Sequence, residues 1–239
     1  MTKLLITDIT LMTAGLCVIG LVRDENSYRS VRPLPPYGPA WTEFPYSRGS
    51  MIAFNLFLPE VHPPHLEDRC TNGVIEVTAR VPEAEVVERL RKAETSETLE
   101  GLFRCQVHEN PNGRMYAEPA EAARSICGCV PSNLQLRWKG GLGQLRASLA
   151  LASGQTLPDL KVVDRDWNDF VSKALNPSRG ANLLQRLNRF LAGAFQQKVF
   201  SCSHIFVRVG LTRPMHQGRC WLMLDTLFPL PQTSWLEEF

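Results

Sequence analysis

Four short constellations in this sequence carry side chains of the kinds that bind metals or act as nucleophiles. His62, His65 and Cys70 are zinc-type ligands, but they are three where a closed structural site takes four, and Pro63-Pro64 restricts how the two rings converge. Cys127 and Cys129 form C-x-C, without the two-residue spacer of redox and zinc-ribbon pairs. Cys202 and His204 would share one face of a strand, as a dyad requires and as any half-buried strand also provides. Asp164, Asp166 and Asp169 resemble a Mg²⁺ cluster, yet Asp164 also reads as the N-cap of a short helix, whose first turn favours acids. There is no G-x-S-x-G elbow and no phosphate loop. The expectation is a protein without catalytic residues, metal or cofactor.

The stronger candidates are basic and aromatic. Residues 1–80 hold 7 cations and 8 anions, residues 81–131 hold 6 and 9, and residues 132–239 hold 13 and 7. From Phe170 to Leu224 there is no acid, while Lys173, Arg179, Arg186, Arg189, Lys198, Arg208, Arg213 and Arg219 are basic. Such a field draws polyanions, and phosphate contacts supply most non-specific nucleic-acid affinity. The expected interface is Arg137, Arg186, Arg189, Lys198, Arg208 and Arg213 for phosphates, with Trp138 as a stacking platform. The same charge would also serve an acidic partner protein, and the tryptophans would equally suit the core.

These residues must be held by a fold of ordinary globular composition. The 239 residues are 44% hydrophobic and 21% charged, and no stretch is long and apolar enough to span a bilayer. The seven cysteines show no disulfide framework, which fits reduced thiols in a cytoplasm.

Hydrophobic periodicity predicts strands at 3–12 and 14–23, joined tightly at Ala14-Gly15, and further strands at 51–58 and 74–81. The proline-rich stretches 31–39 and 59–68 read as surface loops. Acids early and bases late predict a helix at about 83–94. Residues 95–131 read as a linking insertion with a turn at Asn110-Pro111-Asn112-Gly113. A second β unit follows, with strands at 134–138, 145–152, 204–211 and 220–227, a short helix from Asp164, and an amphipathic helix at about 181–199 that turns Arg186 and Arg189 outward.

Several strings together resemble a known family. Cys17-Val18-Ile19-Gly20 and Arg29-Ser30-Val31-Arg32-Pro33 are similar to the opening of the bacterial dual OB-containing domains. Pro64-His65-Leu66-Glu67-Asp68, Val207-Arg208-Val209-Gly210-Leu211-Thr212-Arg213-Pro214 and Cys220-Trp221-Leu222-Met223-Leu224 resemble later strings of that family, in the correct order. Ser30, or Tyr28 nearby, stands where the family has an aromatic, and Met223 where it has glutamine. The resemblance spans about residues 4–80 and 134–231. It implies a mainly β chain with helical insertions (α+β) and two OB-like β-barrels, over residues 1–82 and 132–239, with 83–131 between them. It also implies a bacterial setting beside mobile elements or anti-phage systems, and makes His65, Glu67 and Asp68 a structural or interface loop. The expected function is a non-catalytic nucleic-acid-binding subunit of a larger assembly, with single-stranded DNA or RNA and other protein subunits as partners and no membrane association. The alternative is a protein-interaction scaffold that docks partners through its proline-rich loops and basic face.

Overall fold

The computed structural model describes residues 1–57, 62–139, 144–174 and 204–230. Its first unit is a closed barrel of β1 (Thr2–Met12), β2 (Gly15–Asp24), β3 (Ser27–Leu34), β4 (Ser50–Phe57) and β5 (Asp68–Arg80), in the order β1-β2-β3-β5-β4. Closure comes from β1 against β4, with Thr2 opposite Phe54 and Leu5 opposite Met51. All its ladders are antiparallel except β3 with β5. Because strand side chains alternate, Leu4, Ile6, Val18, Val31, Ile52 and Phe54 fill the barrel, while Leu5 and Leu21 face outward to a second cluster. The hairpin after β1 turns at Gly15, where φ is +136° and a Cβ would lie 2.4 Å from the Trp41 carbonyl oxygen.

The stretch 31–39 was expected to lie outside any strand, but its first four residues belong to β3. The β2 ladder ends at Val31, and Arg32, Pro33 and Leu34 turn to pair with β5. Arg32 N donates to Glu67 O, and the Pro33 carbonyl accepts from Trp41 Nε1 at 2.8 Å. A proline is tolerated where one side of its strand has lost its ladder.

The second unit contains β9 (Asn133–Lys139), β10 (Gln144–Ala150), β11 (Thr156–Val162), β12 (His204–Leu211) and β13 (Cys220–Leu230), again with the order first-second-third-fifth-fourth and with the third and fifth parallel. Among the described residues β12 does not close onto β9. Its second neighbour is β8 (Ile126–Cys129). Residues 95–131 are therefore more than a connector. They supply α2 (Leu99–Phe103), β8, and the hairpin of β6 (His108–Glu109) and β7 (Met115–Ala117), whose β7 pairs with β13. The expected turn is present, with Asn110 Oδ1 accepting from Asn112 N and Arg114 N. β11 escapes the sequence pattern because Pro158 and Asp159 interrupt it, Asp159 at a φ of +50°.

Helix α1 (Glu83–Ala93) follows its charge pattern, with Glu85–Arg89 and Glu88–Lys92 pairs on its outer side. Its buried Val86, Val87 and Leu90 join Leu5 and Leu21 of the first unit and Phe206 and Phe228 of the second. This mixed cluster makes the two units one packed body. Helix α3 (Arg165–Ala174) is capped as expected, with Asp164 Oδ1 accepting from Asp166 N at 2.9 Å and Trp167 N at 3.3 Å. Asp164 Oδ2 accepts from Arg48 of the first unit and from Leu227 N. The helix predicted at about 181–199 lies outside the described residues. No helix among the described residues is long and apolar enough to cross a membrane.

Asp164 serves as cap and cross-unit acceptor at once, so Asp164→Ala should cost about 2–4 kcal/mol. Urea unfolding followed by tryptophan fluorescence measures this, and a loss below about 1 kcal/mol, the scale of a cap alone, would contradict the dual role.

Candidate nucleic-acid interface

The structure separates the seven expected binding residues. Arg186, Arg189 and Lys198 lie outside the described residues. Arg208 is fully buried and cannot reach a phosphate. Its Nη1 donates to Asp8 Oδ2 and, at 3.1 Å, to Thr7 Oγ1, and its Nη2 donates to Ser30 Oγ at 2.7 Å. All three acceptors belong to the first barrel. Arg213 is half-exposed, with Nη2 donating to Asp68 Oδ2 at 2.8 Å. Trp138 faces the interior of the second unit, the side opposite Arg137, and packs against its core. Of the four described residues Arg137 is the exposed one, and Arg213 is half-exposed.

Arg208 is one part of a polar network buried between the units. Arg32 Nη1 donates to Asp68 Oδ1 at 2.9 Å and to His65 Nδ1 at 2.7 Å, while Nη2 donates to Glu67 Oε1 at 3.1 Å and Ser125 Oγ at 2.9 Å. The loop of His65, Glu67 and Asp68 is thus a receptor for arginine. Burial, opposed by Glu67 and reinforced by Arg32, pushes the His65 ring below its ordinary range, so the ring is neutral and its Nδ1 accepts. Burial works against the Glu67 charge, but the adjacent Arg32 guanidinium opposes it and the carboxyl is held below its usual range. Asp225, buried beside Asp8, is pushed up to about 8 by desolvation and Asp8, against Arg32 and Arg208. Its carboxyl fills the space over Gly210, where a Cβ would meet Asp225 Oδ2 at 2.2 Å.

The remaining part of this sheet face runs from the half-buried His108 and Tyr116 and the buried Trp221 to the exposed Lys161 and Arg137, and the pairing registers define it. His108 stands opposite Tyr116, and Tyr116 opposite Trp221. Two residues further along β13, Met223 stands opposite Lys161, Lys161 opposite Arg146, and Arg146 opposite Arg137. Residues paired in register, or two apart on a strand, share a face. One face therefore runs from aromatic at β6–β7 to cationic at β11–β10–β9, six strands spanning about 24 Å at ~4.8 Å each.

At the cationic end Arg137, Lys139 and Arg146 gather on Asp159, and Lys161 stands two residues further along β11. Arg137 Nη2 donates to Asp159 Oδ1 at 2.7 Å, Lys139 Nζ lies 3.7 Å from Oδ2, and Arg146 Nη1 donates to the Asp159 carbonyl at 3.1 Å. Partial burial pushes the Asp159 carboxyl up, but Arg137, Arg146 and Lys139 together hold it below its usual range. Arg146 is held below its own range by desolvation and by Arg114 and Arg137, with only Asp159 opposing. The local balance is an excess of positive charge. At the aromatic end the Arg114 guanidinium lies 4.4 Å from the Trp221 ring centroid, and that of Arg219 lies 4.3 Å from that of Tyr116. His108 stacks on Tyr116 at 5.3 Å. Trp221 is buried beneath Arg114, so the half-exposed His108 and Tyr116 are the aromatic surface that adjoins the cations, the combination that a flexible polyanion with flat bases requires.

The other sequence candidates are structural. His65 is committed to Arg32. Cys127 and Cys129 are buried in the second core, and desolvation raises both thiols, that of Cys127 to about 11. Cys202 lies outside the described residues. Among the described residues no group of three His, Cys, Asp or Glu side chains is arranged to hold a metal ion. No protein-family model matches the chain, and no curated protein matches it.

Replacing Arg208 by Leu leaves Asp8 charged and buried without its partner, a loss expected at about 3–5 kcal/mol. Equilibrium urea unfolding reads it, and near-neutrality would show that the junction does not depend on this pair. A raised folded pKa makes Asp225 stabilising at low pH, with that contribution fading as pH climbs from its ordinary 3.8 to about 8. In Asp225→Asn the decline of stability across that window should flatten, and an unchanged pH profile would overturn the assignment.

Proposed function

We propose that this chain is a non-catalytic binder of single-stranded nucleic acid, built from two OB-like units, with the open face of the second sheet as its interface. The OB-like reading is supported by the shared strand order and by the parallel pairing of third and fifth strands in both units. In OB barrels the face of the second and third strands receives oligonucleotides. The corresponding strands of the second unit are β10 and β11, which carry Arg146 and Lys161 on the open face. The single observation that carries the reading is the continuity of that face, in which the half-exposed Tyr116, backed by the buried Trp221, lies in register with Lys161, Arg146 and Arg137. Base stacking at one end and phosphate contacts at the other account for both residue types.

Assembly with other subunits is the complementary part of the proposal. Tyr37 stands 91% exposed in the proline-rich loop after β3. A large exposed ring on a stiff loop suits a partner protein better than water.

Fluorescence anisotropy of labelled oligothymidylate and its duplex form tests the interface. The wild-type chain should bind the single strand more tightly. Reversing Arg137, Arg146 and Lys161 to Glu should weaken binding by at least about 100-fold and reduce the salt slope by about 2, three phosphate contacts at ~0.7 each. Tyr116→Ala should cost about 1–3 kcal/mol of affinity with little change in that slope. Absence of binding at low salt, or equal binding by the triple variant, would overturn the proposal.

A further inference from the structure

The first barrel carries a second concavity, away from the face described above. It is an open groove of about 400 Å³ lined by Thr2, Arg29, Leu56, Phe57 and Arg69, within the ~300–1,000 Å³ range of small-ligand sites. Arg29 comes from β3 and Arg69 from β5, neighbouring strands of the barrel, while Leu56 and Phe57 end β4. Phe57 is 54% exposed, an unusual placement for a phenyl ring.

The two arginines are anchored but not used up. Arg29 gives its Nε to Asp24 Oδ2 at 2.6 Å, and Arg69 gives Nη1 to the carbonyls of Leu66 and Asp68. Both Nη atoms of Arg29, and the Nε and Nη2 of Arg69, have no protein partner among the described residues. Desolvation, with Arg29 adding to it, holds the Arg69 guanidinium below its ordinary range despite Glu67 and Asp68. Two like charges share the groove, and an anion between them would relieve the repulsion. Guanidinium forks match the oxygens of a phosphate, Thr2 adds a hydroxyl, and Leu56 with Phe57 offers an apolar surface to a flat ring.

We propose that this groove is a second binding site, specific for a phosphomonoester attached to a nucleoside. The phosphate sits between Arg29 and Arg69, and the base lies on Phe57. That chemistry is shared by a free 5′-nucleotide and by the 5′-phosphorylated end of a strand. The site is independent of the second-sheet face and stands or falls separately from it.

Isothermal titration of the full chain with AMP, adenosine and inorganic phosphate tests the groove. AMP should bind, and adenosine should bind at least about tenfold more weakly because a charged hydrogen-bonded contact is lost. Arg29→Gln and Arg69→Gln should each weaken AMP about 10-fold or more, and Phe57→Ala should weaken AMP while leaving inorganic phosphate unchanged. Oligothymidylate with and without a 5′-phosphate distinguishes the sources. A preference for the phosphorylated end that Arg69→Gln removes assigns a strand terminus, and AMP binding without that preference assigns a free nucleotide. No AMP binding up to about 10 mM, weaker than any useful site, would overturn the proposal. So would AMP binding that survives both arginine variants, or that disappears with the reversal of Arg137, Arg146 and Lys161. Binding of the unphosphorylated oligonucleotide in the same series reports on the second-sheet face alone.

Discussion

The ion pair of Arg208 with Asp8 is the constraint around which the molecule is arranged. Both groups are removed from water, and neither charge is tolerable there without the other. One sits on β12 and the other on β1, so the pair is satisfied only when the two units are docked. Thr7, Ser30 and the neighbouring Asp225 complete the same pocket, and Arg32 with Glu67, Asp68, His65 and Ser125 repeats the pattern beside it. Apolar packing through Leu5, Leu21, Val86, Leu90, Phe206 and Phe228 supplies the bulk of the contact. The arginines supply its register, since hydrogen bonds with fixed donors permit one docking where a greasy surface would permit several.

That docking also decides which part of the second sheet remains available. Phe206, Arg208 and Gly210 are turned toward the first barrel and its carboxylates, whereas Trp221, Met223, Lys161, Arg146 and Arg137 continue the face beyond the covered area. One half of the face is an internal joint and the other is a surface. The strand hairpin β6–β7 widens the surface half and brings Tyr116 against Trp221.

Much of this was legible in local pattern. The acid-to-base gradient of α1, the Asp164 cap and the alternation of Leu134, Leu136 and Trp138 each identify an element from its own residues. That same alternation carries Trp138 to the inside and Arg137 to the outside, which adjacency in sequence conceals. Arg208 is misleading because a charge in a strand is normally a wet residue. The signal to the contrary is its context, an unbroken run from Ile205 to Leu211 whose other residues are all apolar or glycine, the mark of a strand buried on both faces. Pro33 and Pro158 obscure strands because they remove donors at positions where the ladder does not need them. The pairing of Tyr116 with Trp221 joins segments more than a hundred residues apart. No local periodicity encodes such a meeting, so the aromatic half of the open face emerges only from the tertiary register.

The distance along the chain between Asp8 and Arg208, 200 residues, has a consequence for the order of events during synthesis. The first barrel's strands leave the ribosome long before β12 exists. Until then Asp8 has no guanidinium to meet, and the surface formed by Leu5 and Leu21 has no Phe206 or Phe228 to cover it. The barrel must wait in a state with a solvated carboxylate and an apolar patch that α1 alone covers, and it reaches its final stability only when the last strands arrive. Contacts of such long sequence separation are also the slowest to form. The two units are thus separate in strand order but joined in folding, and a nascent chain cut between them lacks the charge that completes its own core.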